Sequence, residues 1–217
     1  MVIPALNAAG QLPTTLRALA GDPVAEIIVV DGGSTDASAI YAAQAGARVI
    51  TAPRGRGRQL AAGIEAARED WLLLLHADTR LGDGWREAVA AHTRTSGRQA
   101  VYFRFALASE DPRARRLERL VAWRCRRFAL PYGDQGLLIH RRLLAQVGGM
   151  RPLPLMEDVD LIRRLGRLRL VCLDVPAITS AEKWERDGWT GRSFRNLLCL
   201  GLYRLGVPPR LILRLYR

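Results

Sequence analysis

The chain has 217 residues and a mass of 24.1 kDa, which suits one domain or a domain with a small appendage. It is 49% hydrophobic and 25% charged, which excludes disordered and collagen-like chains. The 33 basic against 21 acidic residues give a net charge of +12, yet only Lys183 is lysine, so the arginine excess reads first as base composition rather than as a ligand signal.

Through the first half, short apolar runs alternate with helix-like stretches. Val2-Ile3 reads as the end of a first strand and helix is predicted over about 11–20. Ile27-Ile28-Val29-Val30 is apolar on both faces, as a buried parallel strand would be. Helix over about 36–45 follows, then a second buried strand at Val49-Ile50, helix over about 58–68, and a third at Trp71–Leu75. This alternation predicts a mostly parallel α/β sheet flanked by helices, with ligands bound beyond the carboxyl ends of the strands. The second half reads as a strand over 101–108, a very basic amphipathic helix over 113–128, a loop at Pro131–Gly136, a strand at Leu137–His140, a helix ending at Leu165 and a strand over 168–174. From Thr190 onward the chain is helical and arginine-rich, broken at Pro208-Pro209. We expect a main domain over 1–180 and a helical, Arg-rich extension over 181–217.

Four segments carry candidate chemistry. Val30-Asp31-Gly32-Gly33-Ser34-Thr35-Asp36 ends a buried strand in a tight turn, with Ser34 or Thr35 placed to cap the next helix. Asp31 there is either a turn residue or an acceptor for a nucleoside. Pro53-Arg54-Gly55-Arg56-Gly57-Arg58-Gln59 runs a Gly/Arg loop into a helix, which suits a phosphate-rich ligand. The strand at Leu72–Leu75 emits His76-Ala77-Asp78, where a carboxylate can hold Mg²⁺ or Mn²⁺ against a diphosphate and His76 is a further ligand or a pocket wall. Glu157 and Asp158 open a helix, either as dipole-complementing acids or with one of them a general base.

In order along the chain, Ile3-Pro4-Ala5-Leu6-Asn7, the Asp31–Asp36 turn, the Arg54–Ile64 segment, His76-Ala77-Asp78, Gly148-Gly149 and Glu157-Asp158 resemble the family 2 glycosyltransferases. The resemblance covers about residues 2–165. It implies the GT-A fold and a nucleotide-diphospho-sugar donor, with a UDP-sugar the first expectation. It also implies roles. Pro4, Ala5, Asn7, Asp31 and Gly33 would lie around the base and ribose, and Arg54 and Arg58 against the nucleotide and diphosphate. His76, Ala77 and Asp78 would face the diphosphate, Asp78 holding the metal with His76 beside it. Asp158 would be the catalytic base of an inverting transfer, with Glu157 second in line.

His76 stands where the family usually has an aspartate. The Gln-x-x-Arg-Trp pattern of processive members is absent, and Glu182-Lys183-Trp184-Glu185 lies in that region, so transfer should be non-processive. Details such as Tyr132-Gly133-Asp134-Gln135-Gly136 and Trp184-Glu185-Arg186-Asp187-Gly188-Trp189 resemble a short bacterial subgroup associated with arsenosugar biosynthesis. That resemblance implies Tyr132, Asp134, Gln135 and Trp184 around the acceptor, a small molecule or a lipid; the alternative for the 131–136 segment is an ordinary loop.

Cys125, Cys172 and Cys199 form neither a metal-ligand pair nor a disulfide framework, which suits a reducing cytoplasm. No secretory pattern opens the chain, and the longest apolar runs fall far short of the roughly 20 residues a spanning helix needs. Two other classes compete with the transferase reading. A nucleotidyltransferase would carry a Gly-rich basic loop after its first strand, and Asn7–Leu16 has none. A basic binding protein is favoured by the arginines of 113–127, but no nucleic-acid motif or stacking array accompanies them, so no specific nucleic-acid partner is expected. Arg195, Arg204, Arg210, Arg214 and Arg217 among leucines point to peripheral contact with anionic lipid at the inner face of the membrane.

Overall fold

A computed structural model of the chain describes residues 1–21, 25–94 and 97–216. Four short strands, β1 (Val2–Ala5), β2 (Ile28–Asp31), β3 (Arg48–Thr51) and β4 (Trp71–Leu74), lie parallel in the order β3-β2-β1-β4. The helices α1 (Leu12–Leu19), α2 (Ser38–Gln44) and α3 (Arg56–Ala66) make the crossovers that parallel pairing requires. Both central strands, β1 and β2, are buried along their length, which is why they read as unbroken apolar runs. Val49-Ile50 departs from the expected full burial. It belongs to β3, the edge strand, whose ends are exposed and whose middle is half-buried.

The chain then forms β5 (Thr79–Leu81), α4 (Trp85–Thr93), β6 (Ala100–Ala108) and α5 (Pro112–Phe128). A single 3₁₀ turn at Gly133–Gln135 leads into β7 (Leu137–His140), α6 (Arg141–Gln146) and α7 (Glu157–Leu165). Last come β8 (Leu170–Ser180), α8 (Glu182–Asp187), α9 (Trp189–Arg204) and α10 (Pro209–Tyr216). The sheet continues from β4 as β7-β6-β8-β5. Here β7 is antiparallel to both β4 and β6, β8 is parallel to β6, and β5 is antiparallel to β8. The sheet is therefore mixed, its parallel part concentrated in the N-terminal half. β8 runs past Asp174, where the sequence pattern stops, because the register against β6 shifts between Phe103 and Arg104 and breaks the alternation there.

Side chains alternate between the two faces of the sheet. Ile3 and Val29 pack under α1, α2 and α4 with Leu12, Leu16, Ala42 and Trp85. Val2, Val30 and Leu72 face the other way, toward Leu60 of α3, Leu143 of α6 and Leu161 of α7. The approach of α3 is set by Gly63, since a Cβ there would lie 2.3 Å from Val2 Cγ1 and 2.7 Å from Val30 Cγ2. Cys199 and Leu200 of α9 and Ile212 of α10 join the same apolar cluster. The helices after Ser180 thus share the core of the sheet domain. The carboxyl ends of β1, β2 and β4 converge on one edge, and the first turn of α7 meets them there.

Candidate active site

At this edge the chain leaves β4 through Leu75 into His76-Ala77-Asp78, while α7 begins with Glu157 and Asp158. Two acids in a first turn are stabilised by the helix N-terminus. Arg56, the first residue of α3, ties the two segments together. Its guanidinium pairs with Glu157, lies 3.1 Å from His76 Nε2 and reaches Asp158 Oδ2 at 3.5 Å. Asp158 Oδ2 also accepts the Gly133 amide at 2.7 Å, and its Oδ1 accepts the Val159 amide at 2.8 Å. Gly133 has to be glycine, because a Cβ would stand 2.7 Å from His76 Nε2 and 3.1 Å from Asp158 Oδ2.

These neighbours sort the charges. Burial pushes the His76 pKa down to about 4, Arg56 adds to the fall, and the imidazole is neutral at neutral pH. Burial would raise Asp158, but Arg56, the Gly133 and Val159 amides and His76 outweigh it, so its carboxyl stays ionised below the ordinary range. Glu157, 1% exposed, moves the other way, raised by burial and by Asp158 against the pull of Arg56. For Asp78, burial is again outweighed, here by Lys183 and His76, and its pKa is lowered. The Lys183 ammonium lies 3.0 Å from Asp78 Oδ2.

A cavity of about 130 Å³ opens among these groups. It is lined by His76, Asp78, Asp158 and Arg56 together with Asp134, Lys183, Trp184, Arg192 and Asn196. Around it the hydrogen-bonding is incomplete: Asp134 Oδ1, Trp184 Nε1, Arg192 Nε and Asn196 Oδ1 are buried without partners. Native interiors seldom leave such atoms unpaired, so the α8–α9 wall and the Gly133–Gln135 turn are unsatisfied around this cavity. Burial raises Asp134 to about 6, with Asp158 adding to the rise and Arg124 opposing it.

Arg56 also lines a second cavity of about 380 Å³, bounded by Pro4, Ala5 and Leu6 at the end of β1, by Arg54, Gly55 and Gln59 of the α3 approach, and by Leu213 of α10. Pro4, Ala5 and Arg54 therefore stand together. Arg58, in the same first turn of α3, is exposed and lines neither cavity. Asp31 and Gly33 belong to the turn at the end of β2, and Asn7, in the segment after β1, bonds to it. The Asp31 carboxylate accepts the amides of Gly33 and Ser34 at 3.0–3.2 Å, and Asn7 Oδ1 accepts the Thr35 amide at 2.8 Å. Neither Ser34 nor Thr35 caps α2; Ser34 Oγ accepts the Asn7 amide instead, and Asp36 accepts the Ser38 amide at the helix start. Ala77 turns its carbonyl to the Thr15 hydroxyl.

On the expected acceptor side, Tyr132, Asp134 and Trp184 line the first cavity, whereas Gln135 is buried away from it. Gln135 donates to the Phe103 carbonyl at 3.0 Å and accepts from the Tyr132 amide, so it braces the loop. Sequence reasoning passed over Arg56, Lys183, Arg192 and Asn196. Arg56 was hidden among three arginines alternating with glycine. Lys183 had a usable signal, the one lysine among arginines.

The family pattern of glycosyl transferase family 2 matches residues 1–152. The chain belongs to that family. Over 85 residues it is 38% identical to uncharacterized glycosyltransferases of Mycobacterium bovis and Mycobacterium tuberculosis, a stretch covering 39% of this chain and 38% of theirs. Its fold superimposes on Mycobacterium tuberculosis glucosyl-3-phosphoglycerate synthase in complex with Mn²⁺, UDP and glucosyl-3-phosphoglycerate. The TM-score is 0.64 at 21% identity, over 95% of this chain and 79% of that one. The same enzyme with Mn²⁺ and UDP-glucose gives the same score. At this identity the likeness establishes the fold, the GT-A architecture that the sequence resemblance implies.

The family match covers β1 through α6, hence Arg56, His76, Asp78 and Asp134. Glu157, Asp158 and the α8–α9 wall lie beyond it, and their place in the site rests on the geometry above.

Proposed function

We propose that this family 2 protein transfers a sugar from a UDP-sugar to an acceptor hydroxyl, with a divalent cation, with inversion and one residue at a time. The observation carrying this reading is that the two cavities meet at Arg56. A nucleoside in the larger cavity would set its diphosphate against Arg56 and its sugar in the acid-lined one. The occupancy of the mycobacterial synthase by UDP-glucose and Mn²⁺ supports the choice of donor and ion.

Among the described residues no three His, Cys, Asp or Glu groups converge on a metal position. The donor set at Asp78 is one ionised carboxylate with the neutral His76 nearby. It fits a hard cation that takes its other ligands from diphosphate and water, once Lys183 yields the carboxylate. When bound there, the cation would neutralise charge on the departing diphosphate. Asp158 would take the acceptor proton as the acceptor oxygen bonds to the anomeric carbon and the bond from that carbon to the diphosphate oxygen breaks. Opposite approach of the two oxygens gives inversion. The Gly133 amide and Arg56 hold Asp158 in place for this role.

Calorimetric titration of UDP-glucose with Mn²⁺, paired with UDP release as turnover, tests the reading. Asp158→Asn should lower turnover by about 100-fold or more while donor affinity stays within about threefold. Equal loss of both would remove Asp158 as base. Nucleic-acid binding without affinity for any of the UDP-, GDP- or dTDP-sugars would favour the basic binding protein instead.

A further inference from the structure

We propose that the α9–α10 helix pair is a docking surface for an anionic lipid bilayer. The inner side of α9 is committed to the protein: Cys199 and Leu200 enter the core, and Arg192 and Asn196 face the acid-lined cavity. Its outer side carries Phe194, Leu197, Leu198 and, just past the helix, Leu205. That spacing of three, four and eleven residues keeps the four within about 100° of one another at 3.6 residues per turn. They are not grazing exposures: Phe194 is 69%, Leu197 60% and Leu205 83% exposed. On α10, Ile212 is fully buried while Leu211 and Leu215, one turn apart, are about half-exposed. Large apolar side chains exposed in one row along a helix, rather than scattered singly, point to an interaction site.

Charge identifies the partner. No acidic residue follows Asp187 in the sequence, and Asp187 is itself consumed by Arg186, Arg192 and Arg195. Arg204, Arg210 and Arg214 are exposed beside the apolar row, Arg210 and Arg214 each one residue ahead of Leu211 and Leu215. Arg217 lies outside the described residues. Apolar side chains that bury at the level of acyl chains, bordered by arginines that reach phosphate, are the composition of an interfacial helix. A second copy of the chain is disfavoured, because pairing would bring two acid-free basic segments face to face. No helix among the described residues is long and apolar enough to cross a membrane, so the contact is peripheral.

Because α9 faces the bilayer on one side and the cavity on the other, docking sets the cavity beside the lipid surface. Resting on the transfer reading above, this makes a lipid-borne hydroxyl the acceptor class.

The test uses the full chain in co-sedimentation with vesicles of phosphatidylcholine alone or with about one-third phosphatidylglycerol. Binding to the anionic vesicles only is expected. A Phe194→Ser/Leu197→Ser/Leu198→Ser variant should bind about tenfold more weakly, and an Arg204→Gln/Arg210→Gln/Arg214→Gln variant should lose the preference for phosphatidylglycerol. Both sets of side chains are exposed, so thermal midpoints should match the wild type. No binding to anionic vesicles overturns the proposal. Unchanged binding of the serine variant also does, placing the contact on other arginines, and so does a dimer in solution that the serine variant abolishes. UDP-glucose titration of the same variants is a separate readout: it should be unchanged, and donor binding with no vesicle binding would remove the docking surface and leave the transfer reading standing.

Discussion

Asp134 and Asp158 face one cavity and are driven in opposite directions by what each can touch. Asp158 has an amide at 2.7 Å and a guanidinium at 3.5 Å, and stays ionised. Asp134 has a buried Oδ1 with no partner, and burial lifts it to about 6. Paired carboxyls with separated pKa values are the usual form of an acid–base site, so Asp134 should shape the pH profile even with Asp158 as base. The sign follows from linkage. Folded Asp134 holds its proton up to about pH 6, whereas an ordinary aspartate releases it near 3.8, so its contribution to stability grows as pH falls from 7 toward 4. Asp134→Asn should therefore raise the denaturation midpoint at pH 7.5 and leave it nearly unchanged at pH 4. It should also erase any titration near pH 6 in UDP release. A variant less stable than wild type at pH 7.5 would mean that Asp134 is ionised in the fold and paired. Asp158 was legible in sequence because Glu-Asp opens a helix at the right place in the order of motifs. The state of Asp134 was not, since it is set by burial in the assembled cavity, whose lining includes Trp184, Arg192 and Asn196, some fifty residues away in the chain.

Helices show the same division between local pattern and assembled contact. The apolar periodicity of α1, α5 and α7 and the strands β2, β4 and β7 could be read within a few residues of their observed ends. The short elements β5, α4 and α6 went unread: β5 has only three residues, and α4 begins after a left-handed glycine, Gly84, rather than behind a side-chain cap. Two helical glycines turn that division into opposite predictions. Gly63 in α3 faces the branched side chains of Val2 and Val30, and a Cβ would overlap Val2. Gly63→Ala should destabilise the protein by about 1–3 kcal/mol through overpacking, visible as a lower urea midpoint. Gly201 in α9 has open space within 4 Å of where a methyl group would stand, and no left-handed φ. Gly201→Ala should stabilise by about 0.5–1 kcal/mol, because only the conformational freedom of the unfolded chain is reduced. A Gly63→Ala variant as stable as Gly201→Ala would mean that α3 is not held against β1 and β2 as described, and a destabilised Gly201→Ala would mean that the outer side of α9 is not open there.

At the scale of the whole molecule, the strand–helix alternation revealed the parallel half of the sheet, while the antiparallel insertion of β7 between β4 and β6 left no local mark in the sequence. That insertion is what brings the Gly133–Gln135 turn beside His76, and α7 and α8 then close the same edge. The site consequently draws on β1, α3, β4, α7 and α8, segments from nearly the full length of the chain. A ligand that spans the two cavities must stabilise all of these together. At a free concentration of about 100 times its dissociation constant, such a ligand adds about 2.7 kcal/mol to the folded state. For a chain of this size that corresponds to a rise of about 5–10 °C in the thermal midpoint. UDP-glucose with Mn²⁺ should produce that rise, and chelation should remove most of it. Asp78→Asn should behave like chelation, since the carboxylate that would hold the cation is gone. The net charge of +12 makes one control decisive, because any polyanion is attracted to such a surface. If inorganic pyrophosphate at the same charge concentration gave the full rise, the effect would belong to the arginines at large and not to a nucleoside held between β1 and α3.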